Sequence, residues 1–430
     1  MAKHDNISNR DRAAGHDAAK AGDRPQALAG IKVLDMSRVI AGPLAGQTLA
    51  DLGADVIKIE RREGGEDLRS LGPPWMKDPD GRDSEESTYF QSANRGKRSV
   101  TIDFAKPEGS ALVRRLAEQS DVLLENFRTG TLARYGLGYA DIATINPRLI
   151  YCSLTGFGQN GPYADRSGYD YLVQAMGGFM SMTGHPEPHP GAGPMRAGVP
   201  IADITAGNNA VTAILAALFH RERGGNGQHI DIALFDAQIG MLMNAMSGWL
   251  NGGVQLPRTG TDHPTAVPNG VFSASDGHLL ISTFNDREFA RLAEAMGHPE
   301  WAEDKRFVRS RDRLLNRTLL VDVMRMALQK ATRAEWMERL NAAKVSCGPI
   351  NEMDDIERDP QVAARGLVIS LEHKVKGTVR VVASPLRLSG TPVRYDLPPP
   401  LAGEHTDVIL TERLSLTPDE IDALRQQEII

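Results

Sequence analysis

From Leu28 onward the chain switches repeatedly between two apolar periods. "GIKVLDMS" is a short apolar strand, "GPLAGQTLADLG" continues with small and apolar residues at helical spacing, and "ADVIKIE" is a second strand. Together they form a β-α-β unit, which requires parallel pairing across a helical crossover. The pattern recurs: "RSVTIDF" predicts a strand, "PEGSALVRRLAEQS" a helix opening on Pro-Glu, "DVLLENF" a strand, and "NPRLIYCSLTGFG" a strand running into a glycine loop. This alternation predicts an open, mostly parallel α/β sheet, whose ligands sit at the carboxyl ends of the strands. A long helix is expected over Asp203 to Arg223, followed by a turn and a strand or helix start in "RGGNGQHIDIALFDA". Beyond about residue 250 the register changes to a hairpin around Ser275-Asp276-Gly277 and then a helix, the pattern of a smaller α+β domain reaching about residue 350. "YDLPPPLAGEHT" reads as an extended connector and Thr417 as the cap of a terminal helix. Residues 1–27, rich in charge, Ala and Gly, predict a loosely held tail.

A chain of 430 residues exceeds the usual size of one hydrophobic core, so two domains are expected. With 49 Lys+Arg against 55 Asp+Glu the net charge is -6, which offers no basic footprint for nucleic acid. The cysteines, Cys152 and Cys347, lie far apart without C-x-x-C spacing and read as buried thiols of a reducing compartment. No run approaches the ~18 consecutive apolar residues of a membrane span, and the N-terminus lacks a signal-peptide core, so a cytoplasmic protein is expected.

No G-x-G-x-x-G or Gly-Lys-Ser/Thr follows the first strand, and neither H-E-x-x-H nor Gly-x-Ser-x-Gly occurs. The histidines are scattered, so no metal site is expected. What remains are strand-end loops rich in cations: "SRVIAGP", "IERREGGEDLR", "SANRGKRS" and "ENFRTG". Arg61, Arg62, Arg95, Lys97, Arg98 and Arg134 are expected around a crevice suited to an anionic ligand with several phosphates. A further candidate is Asp170, a lone carboxylate in "RSGYDYLVQAMGGFMSMTG". An aspartate so placed can serve simply as a helix cap.

The order of these segments, from "GIKVLDMSRVIAGPLAGQTLADLGADVIKIERREGGEDLR" through "ANRGKRSVTIDF", "DVLLENFRTGTLARYGLGY" and "NPRLIYCSLTGFGQNGPYADRSGYDYLVQAMGGFMSMTG" to "GQHIDIALFDA", resembles the class III CoA-transferases. The resemblance covers about residues 28 to 430. It implies an α/β fold: a large Rossmann-like domain with a parallel sheet (28–205, completed by about 380–430), linker helices (206–250), a small α+β domain (251–350) and a return linker (351–379). Two such chains would thread through each other as an interlocked-ring homodimer.

By the same resemblance Asp170 falls on the family's nucleophile. A carboxylate is already ionised at neutral pH and needs no histidine or metal to activate it. Gly177 and Gly178 could present N–H groups to an oxyanion. Coenzyme A, a substrate and not a permanent cofactor, is implied at Arg38, Val39, Ala41, Arg61, Ile102, Lys106, Asn126, Phe127 and Arg134. Arg38 stands where formyl-CoA transferase has a histidine, Ile40 replaces its glutamine, and Ala105 replaces its phosphate-binding lysine, with Lys106 adjacent. "TDHPTAVPNGVF" stands where that enzyme has a run of glycines. These departures argue against formyl-CoA:oxalate transfer. The loops are similar to the succinyl-CoA-dependent branch, which implies a small carboxylic or dicarboxylic acid as acceptor. Arg166 or Arg196 could hold its distal carboxylate, against a plain role in surface ion pairs.

Two other functions fit the same fold. An alpha-methylacyl-CoA racemase would pair its aspartate with an upstream histidine, and no histidine lies between Phe127 and Asp170. A non-catalytic CoA-binding protein would have no need of Asp170.

Overall fold

The computed structural model describes residues 25–78, 80–373 and 377–430. The tail expected over 1–27 lies almost wholly outside them. In chain order the strands are β1 (Lys32–Asp35), β2 (Asp55–Glu60), β3 (Trp75–Lys77), β4 (Asp83–Ser87), β5 (Lys97–Thr101), β6 (Val122–Glu125), β7 (Ile150–Thr155), β8 (Gln228–Ala233), β9 (Asn269–Ser273), β10 (His278–Ser282), β11 (Ser346–Pro349), β12 (Val368–His373) and β13 (Gly377–Val382). Up to residue 252 the helices are α1 (Ala41–Asp51), α2 (Thr88–Gln91), α3 (Pro107–Glu118), α4 (Tyr139–Ile145), α5 (Asp170–Met176), α6 (Phe179–Met182), α7 (Ile201–Glu222), α8 (Leu234–Met241) and α9 (Met243–Gly252).

Six strands form one sheet in the order β5-β2-β1-β6-β7-β8, every neighbouring pair parallel. The chain therefore winds outward from β1 in one direction and from β6 in the other. The two halves part between β1 and β6, where the crossovers above them leave to opposite sides and open a crevice at the strand ends. Alternation along the strands sorts the core into two layers. Val33, Val56 and Leu124 face α1, α7 and α8, packing with Leu49, Ala206, Ala210 and Ile214. Leu34, Ile57 and Leu123 face the other way, onto Leu112 and Val113 of α3 and onto Ile409, Leu410 and Ile430 from the end of the chain.

By length and apolar content α7 could cross a bilayer. Its small and apolar face is instead buried against α1, where the Gly207 backbone passes so close that a Cβ there would lie 2.7 Å from the Ala41 carbonyl oxygen.

A separate core, with Phe272, Leu279, Phe289, Leu320, Met324 and Trp336, lies around the antiparallel sheet β11-β10-β9. The stretch 351–379 is less plain than a linker: it carries short helices at Met353–Arg358 and Pro360–Ala364 and enters the β12–β13 hairpin. Cys152 is buried, whereas Cys347 is only half-buried, a departure from the expectation for both thiols.

Candidate active site

The crevice between β1 and β6 is built by two loops that clasp each other. The Arg38 N–H donates to Asn126 Oδ1 at 2.8 Å, and Asn126 Nδ2 returns a bond to the Arg38 carbonyl at 2.6 Å. Val39 then takes φ 67°, a left-handed conformation unusual for a β-branched residue, and its N–H donates to Glu66 Oε2 at 2.8 Å. Strain of that kind persists where the surroundings hold it, and here Glu66 and Asn126 do so.

A cavity of ≈ 170 Å³ opens over these loops, lined among others by Arg38, Val39, Ala41, Asn126, Phe127 and Arg166. The Arg38 guanidinium lies 4.6 Å from the Phe127 ring centre and pairs with Asp67 Oδ2 at 3.2 Å. Arg61 reaches the other oxygen of the same carboxylate at 2.8 Å. One aspartate thus gathers two arginines at the mouth of the crevice, a charge arrangement that suits an anionic group.

Other expected ligand-binding residues are engaged elsewhere. Lys106 Nζ donates to the carbonyls of Gln427 and Glu428, capping the last helix of the chain. Ile102 is a core side chain, and its N–H is bonded to the Glu60 carbonyl. Arg134 is exposed on the turn after β6 and does not line the cavity. Arg95, Lys97 and Arg98 belong to the start of β5, not to its ligand-facing end. Arg95 is buried in a 2.6 Å pair with Asp51, Lys97 in a 2.8 Å pair with Asp35, and Arg98 bridges Asp55 and Glu412. Reading cations by their loops alone confused structural pairs with ligand-facing charge.

Asp170 is the first residue of α5 and is buried. Its Oδ1 accepts from the Gln174 amide at 2.5 Å, one turn further along α5. Its Oδ2 accepts from the N–H groups of Ala202 at 2.8 Å and Asp203 at 3.1 Å, in the first turn of α7. Asp170 therefore does cap a helix, but one that starts 31 residues further on. The first turn of a helix presents unsatisfied N–H groups and positive potential, and these bonds fix the Asp170 carboxyl there in one orientation. Tyr169 and Asp203, its neighbours in chain and in space, both line the crevice.

Gly177 and Gly178 are not brought to this carboxylate. They follow α5, about 10 Å of helix beyond Asp170. The Gly177 N–H is bonded to the Val173 carbonyl at 2.7 Å, and Gly178, at φ 84°, turns the chain into α6 and lines a different, apolar groove. Sequence reasoning missed Gln174, Ala202 and Asp203. Gln174 sits at i+4 from Asp170, a spacing that could have signalled it. The main-chain donors have no such signal.

Residues 28–406 match the model of CoA-transferase family III. The succinate–glutarate CoA-transferase of Agrobacterium fabrum is 44% identical over 390 residues, covering 91% of this chain and 96% of that protein. The succinyl-CoA:glutarate CoA-transferase of Mus musculus is 38% identical over 402 residues, 94% of this chain and 90% of that one. Among solved structures, a CAIB/BAIF family protein from Brucella suis superposes with a TM-score of 0.81 at 42% identity, covering 91% of this chain and all of its own.

Proposed function

Because the chain belongs to CoA-transferase family III, and is a transferase acting on CoA thioesters and carboxylic acids, we propose that it moves CoA from succinyl-CoA to a small dicarboxylic acid, by way of Asp170. The observation that carries this reading is the Asp170 carboxylate held by Gln174, Ala202 and Asp203 at the edge of a crevice that also presents Arg38 and Asn126.

In the first step an Asp170 oxygen attacks the thioester carbonyl. The C–S bond breaks, CoA thiolate leaves, and a mixed anhydride forms on the side chain. Thiolate then attacks the aspartyl carbonyl carbon, the anhydride C–O bond breaks, and the first acid departs as its carboxylate. The acceptor carboxylate attacks the resulting aspartyl-CoA thioester, and thiolate returns to the new anhydride to release acceptor-CoA and Asp170. Two of the four steps develop an oxyanion on the aspartyl group itself. The Ala202 and Asp203 N–H groups, already directed at Oδ2, are placed to hold it, in the role first expected of the glycine pair.

The names of the two relatives support succinyl-CoA as donor and a glutarate-like acceptor. So does Arg166, whose guanidinium rests 4.6 Å from the Tyr163 ring centre and lines the crevice with no acidic partner among the described residues. Arg196 instead stacks on Tyr171 and donates to the Ala197 carbonyl. The working unit is proposed to be a homodimer.

The test is chemical. Incubation with succinyl-CoA is expected to add CoA, or the succinyl group, to Asp170, visible by intact mass and removed by hydroxylamine. Asp170→Ala should lose transfer while still binding CoA. An Asp170→Ala protein with wild-type turnover would remove the nucleophile from the reading.

A further inference from the structure

Asp203 carries a carboxyl group that the chemistry above does not use. Building on the transfer reading, we propose that the Asp203 side chain, in its neutral form, is the hydrogen-bond donor that receives the reacting carboxylate of the acid substrate beside Asp170.

Three observations lead there. The first is placement: Asp203 lines the crevice, and its own N–H is bonded to Asp170 Oδ2, so its residue is in direct contact with the nucleophile. The second is the absence of a structural task. An aspartate in the first turn of a helix ordinarily complements the free N–H groups. Here those of Ala202 and Asp203 are taken by Asp170, and the Asp203 carboxyl makes no hydrogen bond or ion pair among the described residues. The third is its surroundings. Asp170 on α5 and Tyr89 on α2 stand close to it, with Tyr171 of α5 facing Tyr89. Arg38, Asp67, Arg128 and Arg166 share the crevice, Arg38 and Asp67 being paired with each other. α1 meets this part of α7 with Ala41 and Leu44, and α8 with Met241, none of which titrates. Burial, and then the Asp170 charge, push the Asp203 carboxyl up to about 7.

Burial and the neighbouring Asp170 favour the neutral form of Asp203, so its carboxyl can donate toward the crevice it lines. When Asp170 becomes a thioester its charge is gone, and the incoming acid carboxylate replaces it. The same proton then bonds the incoming anion, and later the regenerated Asp170. No net proton is transferred in either half-reaction, so the donor is conserved over the cycle. Ionised, Asp203 would instead repel the acid it has to receive.

The sign of the pH effect follows. In the thioester enzyme burial alone raises the Asp203 carboxyl, so the donor is in place at low pH and is lost as pH rises through that group's titration, beyond which the KM for the acid rises by about tenfold per pH unit while kcat changes less. The experiment uses the full-length protein, saturating succinyl-CoA and glutarate as acceptor, from about pH 6 to about pH 9, with intact mass following the Asp170 adduct in the same samples. Asp203→Asn keeps a neutral donor and is expected to hold a KM that is flat over that range. Asp203→Leu removes the donor and is expected to raise the KM about tenfold or more at low pH, also without pH dependence. Circular dichroism checks that both variants fold. A wild-type protein that forms the adduct but has a flat KM, or an Asn variant that keeps the wild-type rise, overturns the role of Asp203 and leaves transfer through Asp170 standing. If no adduct forms on the wild type, the reading beneath falls, and this role with it.

Discussion

Gln174 fixes the proposed nucleophile, Asp170, as firmly as any main-chain donor does. It is fully buried, donates to Asp170 Oδ1, and accepts from the Ala197 N–H at 2.9 Å, so its amide cannot flip without breaking a bond at each end. Gln174→Leu keeps the bulk and the helix but frees Asp170 to turn. The expected result is a kcat lowered by about 10- to 100-fold, with the KM for succinyl-CoA changed little, since the CoA loops are untouched. Equal losses in kcat and CoA affinity would mean that Gln174 supports the whole crevice and not one side chain. This also shows how far the site could be read in advance. That Arg38, Asn126 and Phe127 come together beside Asp170 was legible, because each belongs to a motif with a recognisable order. Ala202 and Asp203 were not, because a main-chain N–H contributes the same way whatever side chain it carries, and the contact joins residues more than thirty apart. Lys106 was expected beside Ala105 on adjacency alone, which says nothing about where a side chain points; its Nζ reaches the Gln427 and Glu428 carbonyls instead.

At the scale of elements, the active site depends on how deeply α7 sits against α1. Gly207 sets that depth, since any Cβ would press on the Ala41 carbonyl at 2.7 Å and on Leu44 at 3.3 Å. Gly207→Ala would gain about 1 kcal/mol of helix propensity. Overpacking against a backbone oxygen, which has no rotamer to relax into, costs about 1–3 kcal/mol. A net loss of stability is expected, read as a lower denaturant midpoint, together with reduced kcat as the first turn of α7 is displaced from Asp170. A stabilised variant with full activity would mean that the helix can shift without moving those two donors. The elements themselves were mostly legible. The helix foreseen over Asp203 to Arg223 forms at Ile201–Glu222, and each of the first four strands predicted appears in the segment that suggested it, β5 starting one residue ahead of "RSVTIDF". Long apolar periods survive any tertiary context. The β3–β4 hairpin went unforeseen because "WMK" is only three residues long and "DSEES" is wholly polar, neither showing a strand's alternation. The β12–β13 hairpin was hidden in what reads as a connector, its pairing decided by the partner strand and not by its own pattern.

For the whole molecule, the linker helices expose what a solitary chain would bury. None of the residues of α9 is buried, and Met243, Trp249 and Leu250 on it are more than half exposed, followed by Val254. Beside them runs an apolar groove lined by Met182, Leu242, Met246, Trp249 and Leu256, with Gly178 in its wall. Contiguous apolar surface of this kind is what a protein–protein contact would cover. Gly178 lies in the wall of this groove, on the surface proposed to meet a second copy. If two chains pack along α9, light scattering should give twice the 46.7 kDa of one chain. Replacing Trp249 and Leu250 together by Asp would bury two charges without partners at that contact, a cost of several kcal/mol per ion that a surface pair cannot offset. The double variant should then run as a monomer and lose transfer activity. Its Asp170, Gln174 and α7 donors all lie within one chain and stay intact, so residual CoA binding should persist. A wild-type protein that scatters as a monomer while fully active would instead leave α9 to some other partner, and the site complete in a single chain.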